Sequence, residues 1–202
     1  MNLRYAATSP YVRKVMAVAM ETGQAKKIEK IPSAVSPTKA NEELTRENPL
    51  GKVPSLTTDE GLVLFDSPVI CEYLDSLHKG PRLHPPVGPA RWTALRQQAL
   101  ADGLLDAALL IRYEMTRPAE FQWAEWTEGQ RAKVLASLDA LEGEVEKLKG
   151  ALTIGHISVG CALGYLDLRF SSEGWRNGHP KLAAWYREFA TRPSMLETMP
   201  PL

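Results

Sequence analysis

The sequence predicts two unlike halves: an α/β domain over residues 1–78 and an all-α helical bundle over residues 91–202. Three observations carry that division. Up to about residue 78, short alternations of strand type mix with helical apolar stripes. The densest Pro/Gly stretch, Lys-Gly-Pro-Arg-Leu-His-Pro-Pro-Val-Gly-Pro-Ala at 79–90, marks a linker. Beyond it the apolar spacing is helical throughout.

Taken in order, Leu3 and Tyr5 alternate as a first strand. Val12, Val15, Met16 and Ala19 form the apolar stripe of a helix that stops near Gly23. Asn48-Pro49 favours a turn, and Gly51 supplies a position where positive φ is free of steric cost. Val53 to Thr57 reads as a short strand, and Pro54 without an N–H prevents normal pairing on both sides there. The Val53–Pro54 bond is a candidate for the cis form. Asp59-Glu60-Gly61 makes a hairpin loop, and Leu62 to Phe65 returns as the partner strand. Ser67 is placed as an N-cap with Pro68 at the first helical position, ahead of Ile70, Tyr73, Leu74 and Leu77. In the second half, helices are expected over Trp92 to Tyr113, over a segment carrying Val134, Leu135, Leu138, Leu141, Val145 and Leu148 with Gly150 as its stop, and over Ile154 to Phe170 and Pro180 to Ala190.

Composition narrows the function classes. A chain of 202 residues is long enough for one large or two small domains. Lys+Arg and Asp+Glu are equal at 24 each, so no global field attracts nucleic acid or an anionic membrane. No apolar run approaches the roughly 20 residues that span a bilayer. Arg4, Thr8, Pro10 and Arg13 interrupt any apolar core of a secretion signal, and the expected location is the cytoplasm. Cys71 and Cys161 stand far apart and read as packed core thiols. The four histidines, at 78, 84, 156 and 179, have no ligand spacing, and no metal is expected.

The segment Asn48-Pro49-Leu50-Gly51-Lys52-Val53-Pro54-Ser55-Leu56, followed by Phe65-Asp66-Ser67-Pro68, suggests a ligand site. A strand with a proline at its start leaves backbone groups outside a ladder, and a helix start offers unpaired N–H groups with a partial positive charge. Together they suit a small peptide carrying a carboxylate.

Asn-Pro-x-Gly-x-Val-Pro followed by Asp-Ser at a helix start resembles the glutathione-binding half of the glutathione transferase superfamily. Thr8-Ser9-Pro10-Tyr11-Val12-Arg13-Lys14-Val15 is similar to the opening of many bacterial members, so the resemblance spans nearly the whole chain. It implies a thioredoxin-like first domain with a further strand over Lys27 to Ile31, where alternation by itself is poor. It also implies a helical second domain that binds the electrophile, a homodimer, and glutathione as co-substrate. Ser9 takes the place of the thiol-contacting group, with Thr8 and Tyr5 as rival hydroxyls. A free thiol has a pKa of about 8.5, and a hydroxyl donor beside a helix N-terminus favours the reactive thiolate. By the same resemblance, Val53 beside Pro54 pairs with the cysteinyl unit, Ser67 holds the γ-glutamyl carboxylate, Asp66 its amino group, and Lys52 approaches the glycyl carboxylate. Arg13 and Lys14, one turn into the first helix, read as solvated or structural. Tyr11, Arg112, Tyr113 and Trp123 are the candidates for the electrophile site. Asp102 and Asp106, one turn apart, read either as a solvated face or as carboxylates reaching a neighbouring subunit's glutathione. The implied activity is conjugation of glutathione to small electrophiles. A glutathione-dependent reductase, isomerase or peroxidase, or a binding module without catalysis, uses the same scaffold. Serine at position 9 and the lack of Cys-x-x-Cys argue against thiol-disulfide exchange by the protein's own cysteines.

One residue departs from the family pattern. Relatives open the buried helix of the second domain with Ser/Thr-x-x-Asp, a reciprocal capping arrangement, where this chain has Thr153-Ile154-Gly155-His156. Histidine is expected not to repeat the carboxylate's contact, and His156→Asp is expected to stabilise the fold by roughly 0.5–2 kcal/mol.

Overall fold

The computed structural model describes residues 1–201 and divides into two compact units, Met1–Pro86 with the segment from Pro193 onward, and Val87–Arg192. The first unit holds a four-stranded sheet in the order β2-β1-β3-β4. β1 (Asn2–Tyr5) pairs in parallel with β2 (Glu29–Pro32) and antiparallel with β3 (Ser55–Thr57), which pairs antiparallel with β4 (Val63–Leu64). Helices α1 (Pro10–Glu21) and α3 (Ser67–Ser76) pack against each other. Leu3, Leu56, Val15, Val18, Ile70 and Leu74 are fully buried and form the centre of this unit. Burying each such side chain is worth about 1.5–3 kcal/mol, so the sheet and the two helices hold one another in place.

Several boundaries differ from expectation for local reasons. The first helix ends at Glu21, and Gly23 follows at φ +71°, where a side chain would be strained. Residues 25–27 form a single 3₁₀ turn, so β2 starts two residues later than its predicted position. Val53 and Pro54 lie before β3 rather than in it, and the peptide between them is cis. The hairpin loop is longer than Asp59–Gly61: Thr58 closes it, with its N–H donating to the Leu62 carbonyl (2.9 Å) and its hydroxyl accepting from Leu62 N–H (3.1 Å). A short helix, α2 (Glu42–Glu47), was not expected. Its cap is Asn41, whose side chain accepts from Leu44 N–H at 3.2 Å, and Leu44 is its one buried residue.

In the second unit, α4 (Gly88–Glu114), α5 (Ala124–Gly143), α6 (Ile154–Arg169) and α7 (Pro180–Phe189) form the bundle. Every residue of α6 from Ile154 to Leu166 is buried, so it is the central helix, apolar on all sides. Its closest neighbour is α4. Gly155 makes that approach possible, because a Cβ there would lie 2.8 Å from Gln97 Cβ and 3.0 Å from the Ala94 carbonyl oxygen. The expected helix through Leu148 stops at Gly143 and continues as a 3₁₀ turn over Val145–Leu148. A 3₁₀ turn places residues three apart on one face, so Val145 and Leu148 stay buried despite the break.

The Pro/Gly stretch at 79–90 is not a loose linker. Asp75, buried in α3, accepts from Leu83 N–H and His84 N–H at 2.9 Å each and contacts the rings of His78 (2.9 Å) and His84 (3.1 Å). That network ties the stretch down before α4 begins at Gly88. The last predicted segment of the bundle also differs. From Pro193 on, including α8 (Pro193–Glu197), the chain belongs to the first unit. There Arg13 donates to the Met195 carbonyl (3.0 Å) and the Ser194 hydroxyl donates to Glu21 (2.5 Å). Arg13 and Lys14 are accordingly buried and structural rather than solvated.

The expectation for His156 is corrected. Thr153 N–H donates to His156 Nδ1 at 3.1 Å, and the Thr153 hydroxyl lies 2.7 Å from the same nitrogen. The imidazole closes the reciprocal box in the carboxylate's place. With Nδ1 as acceptor, the ring is neutral and carries its proton on Nε2. Burial pushes its pKa below the ordinary value, and the nearby Arg192 charge pushes the same way against an opposing contact to the Leu148 carbonyl.

Candidate functional site

The sheet register gathers three distant segments at one end of the first unit. Arg4 pairs with Ser55, so the C-terminal end of β1 and the N-terminal end of β3 coincide. Leu56 pairs with Leu64, so the C-terminal end of β4 arrives at that same end. The residues just beyond these strand ends are Ser9 after β1, Val53 and Pro54 before β3, and Asp66 and Ser67 after β4. Both α1 and α3 therefore begin there, with their N–H groups and positive dipole ends at one edge of the sheet.

Ser9 is the N-cap of α1, its oxygen accepting from Val12 N–H at 3.3 Å, and Pro10 follows as the first helical residue. Accepting that bond leaves the hydroxyl its own proton to donate. Of its rivals, Thr8 is exposed, and the Tyr5 ring faces Lys30 Nζ at 5.4 Å. The loop before β3 is held by Asn48, which donates to the Lys52 carbonyl (2.8 Å) and accepts from Leu50 N–H (3.0 Å); Gly51 turns at φ +62°. Lys52 is exposed, whereas Val53 and Pro54 are buried, and the backbone of Val53 lies outside the β1–β3 ladder.

Ser67 is not the N-cap. Asp66 occupies that position, makes no side-chain cap bond, and follows Phe65 through a cis peptide. Ser67 is the first residue of α3 and is buried, with Pro68 second. The exposed Asp66 carboxylate and the free end of α3 are thus adjacent, one suited to an ammonium and the other to a carboxylate.

The four electrophile candidates are divided between the two units. Tyr11 is half-buried in the first unit, with Lys14 Nζ 5.8 Å from its ring. Trp123 is exposed in the second, its backbone N–H donating to Glu114 (2.8 Å) and its indole to Glu125 (3.2 Å). Arg112 and Tyr113 are half-buried at the end of α4. Tyr165 of α6, which the sequence reading did not select, lies within electrostatic reach of both. Burial raises the pKa of the Tyr165 hydroxyl, and Arg112 and Arg169 pull it back down. In the first unit, a cleft of about 490 Å³ is lined by residues that include Tyr5, Val12, Met16, Met20, Lys30 and Met199.

Comparison with known proteins places this geometry. Residues 8–77 match the family model for the glutathione S-transferase N-terminal domain, and residues 124–188 match that for the C-terminal domain. The chain belongs to the glutathione S-transferase family. A glutathione transferase family member from Pseudomonas fluorescens Pf-5, solved with bound glutathione, is 48% identical with a TM-score of 0.98, over 100% of this chain and 99% of that one. A Pseudomonas fluorescens Pf-5 structure with bound S-(propanoic acid)-glutathione is also 48% identical, with a TM-score of 0.93 over 100% of both chains. The uncharacterized GST-like protein YibF of Escherichia coli (strain K12) is 35% identical, over 100% of this chain and 99% of its own length. The thioredoxin-like sheet followed by a helical part agrees with the family fold. Among the described residues, no helix is long and apolar enough to cross a membrane.

Proposed function

We propose that this protein binds glutathione at the end of the first unit's sheet and conjugates its thiolate to a small electrophile. The observation that carries the reading is the convergence of Ser9, Val53–Pro54 and Asp66–Ser67 at one sheet end with two helix N-termini. In this reading Val53 pairs with the cysteinyl backbone, the N-terminus of α3 at Ser67 takes the γ-glutamyl carboxylate, and Asp66 takes its ammonium. Lys52, exposed on its loop, meets the glycyl carboxylate. The thiol releases its proton to solvent, Ser9 donates a hydrogen bond to the resulting sulfur anion while its oxygen keeps the cap, and the α1 dipole adds to the stabilisation. The thiolate lone pair then forms the carbon–sulfur bond, and the displaced group leaves with its bonding pair. The glutathione-bound relatives support the choice of co-substrate. Serine at position 9 and the burial of both Cys71 and Cys161 favour transfer over disulfide exchange.

Calorimetry with glutathione tests the site, and ultraviolet absorbance of the bound thiolate against pH tests the mechanism. Ser67→Ala is expected to weaken binding about tenfold or more, the worth of a charge-assisted hydrogen bond. Ser9→Ala is expected to retain binding, raise the bound thiol's pKa and slow turnover of a chloronitrobenzene. No binding of glutathione by the wild type at several millimolar would overturn the reading.

A further inference from the structure

The cleft of about 490 Å³ is built wholly within the first unit, and none of Ser9, Val53, Pro54, Asp66 and Ser67 lines it. Its volume falls in the range of small-molecule sites, roughly 300–1,000 Å³. One face of α1 supplies a wall, because Arg13, Met16 and Met20 stand at i, i+3 and i+7. Met199, beyond α8, and Tyr5, at the end of β1, add apolar surface. Met16 and Met20 are half-buried and Met199 is exposed, so their side chains are open to a ligand. Methionine is flexible and polarizable, and its sulfur favours contact with aromatic rings. The charged groups of the cleft are three cations, Arg13, Lys26 and Lys30, against the single carboxylate of Glu197. Lys26, in the 3₁₀ turn after α1, and Lys30, on β2, are exposed, and among the described residues neither is in an ion pair. Arg13 is different: it is only 8% exposed. One terminal nitrogen donates to the Met195 carbonyl at 3.0 Å, Nε is buried with no hydrogen-bond partner, and among the described residues no carboxylate pairs with it. A guanidinium has five N–H donors, and burying them unmatched is unfavourable, whereas one carboxylate accepts from two at once.

We propose that this cleft is a second ligand site, separate from the glutathione site, and that it takes a small aromatic carboxylate. The ring lies among Met16, Met20 and Met199, and the carboxylate meets the guanidinium of Arg13. Burial of Arg13 strengthens that pair relative to one in bulk water. Lys26 and Lys30 add a longer-range attraction that salt screens, since both are exposed. The site does not depend on the glutathione reading, because every residue in it belongs to a different set of contacts.

The probes are 4-phenylbutyrate and its uncharged counterpart 4-phenylbutanol, titrated into protein labelled with carbon-13 at the methionine methyl groups and followed by NMR. Of the six methionines, Met16, Met20 and Met199 line the cleft, and Met115 lies in the second unit as a control. The carboxylate is expected to shift the first three signals and leave Met115 unmoved. It is expected to bind about tenfold or more tightly than the alcohol, the worth of a charge-assisted hydrogen bond. Saturating glutathione is expected to leave these shifts in place. Arg13→Met is expected to lose the preference for the carboxylate, and Lys30→Glu, on the exposed surface, to weaken carboxylate binding several-fold while leaving the alcohol unchanged. Equal affinity of the wild type for the two probes, or no shift of the three cleft signals at millimolar probe, would overturn the site. Displacement of the carboxylate by glutathione would overturn its separateness. A thermal melt of each variant checks the fold, and the wild-type comparison of the two probes stands whether or not Arg13→Met folds.

Discussion

His156→Asp separates two accounts of how α6 begins. The wild-type ring is a neutral acceptor for Thr153 N–H, and burial holds its pKa below the ordinary 6.5. A group whose folded pKa is depressed adds nothing adverse above the unfolded value, and its stabilising share is lost as pH falls below that value. The unfolded chain then takes up a proton that the folded chain resists. One proton corresponds to about 1.4 kcal/mol per pH unit, so the wild type loses up to about 2 kcal/mol between pH 7 and pH 5 from this residue, the limit for a ring that stays neutral in the folded state throughout.

The Asp variant has no such loss in that window. At pH 8 its carboxylate regains the Thr153 contact and a favourable place in the helix dipole, worth about 0.5–1 kcal/mol. It gives up the buried ring, which packs 6.4 Å from Trp185 between centroids, at a cost of about 1–2 kcal/mol. The gain expected from sequence therefore disappears at pH 8, where the variant should equal the wild type or fall about 1 kcal/mol below it. By pH 5 the order should reverse. Urea unfolding followed by tryptophan fluorescence at pH 8, 7, 6 and 5 measures this, because contributions common to both proteins cancel in the difference. A difference between variant and wild type that does not move with pH would refute the account, as would a His156 ring that titrates normally by NMR.

Two further outcomes are expected. Asp75→Asn should cost about 2–4 kcal/mol in urea at pH 7, because one oxygen that accepts from Leu83 or His84 becomes a donor inside a buried network. Burial alone would raise the Asp75 pKa, but the hydrogen bonds from His78, Leu83 and His84 bring it below the ordinary carboxylate value, so the wild type's advantage over the variant should fade as pH drops below about 3.8. Gly155→Ala should lower stability by about 1–3 kcal/mol, since the added methyl meets Gln97 and the Ala94 backbone, and a variant as stable as wild type would show that α4 and α6 part without cost.

The residues explain which features were legible in the sequence. Ser9-Pro10 marks the start of α1 because cap and first-turn proline are local devices. Asp66-Ser67-Pro68 gives the same signal with an ambiguity of one position, since Asp and Ser are equally good caps and only the backbone at Phe65–Asp66 decides between them. Helix α2 carries one buried residue in six, too few to show a period. Val145 and Leu148 keep helical spacing across a break because a 3₁₀ turn preserves the i, i+3 face.

What local pattern does not contain is register. Ser9, Pro54 and Ser67 are separated by 45 and 13 positions, and nothing in their neighbourhoods states that they meet. They do so because Leu3 and Leu56 pair across β1 and β3 and Leu56 and Leu64 across β3 and β4, with Leu3 and Leu56 fully buried, so that a slip of one residue would turn a core leucine outward. The candidate site is built from common residues whose local context is unremarkable, and close packing of fully buried side chains elsewhere brings them together.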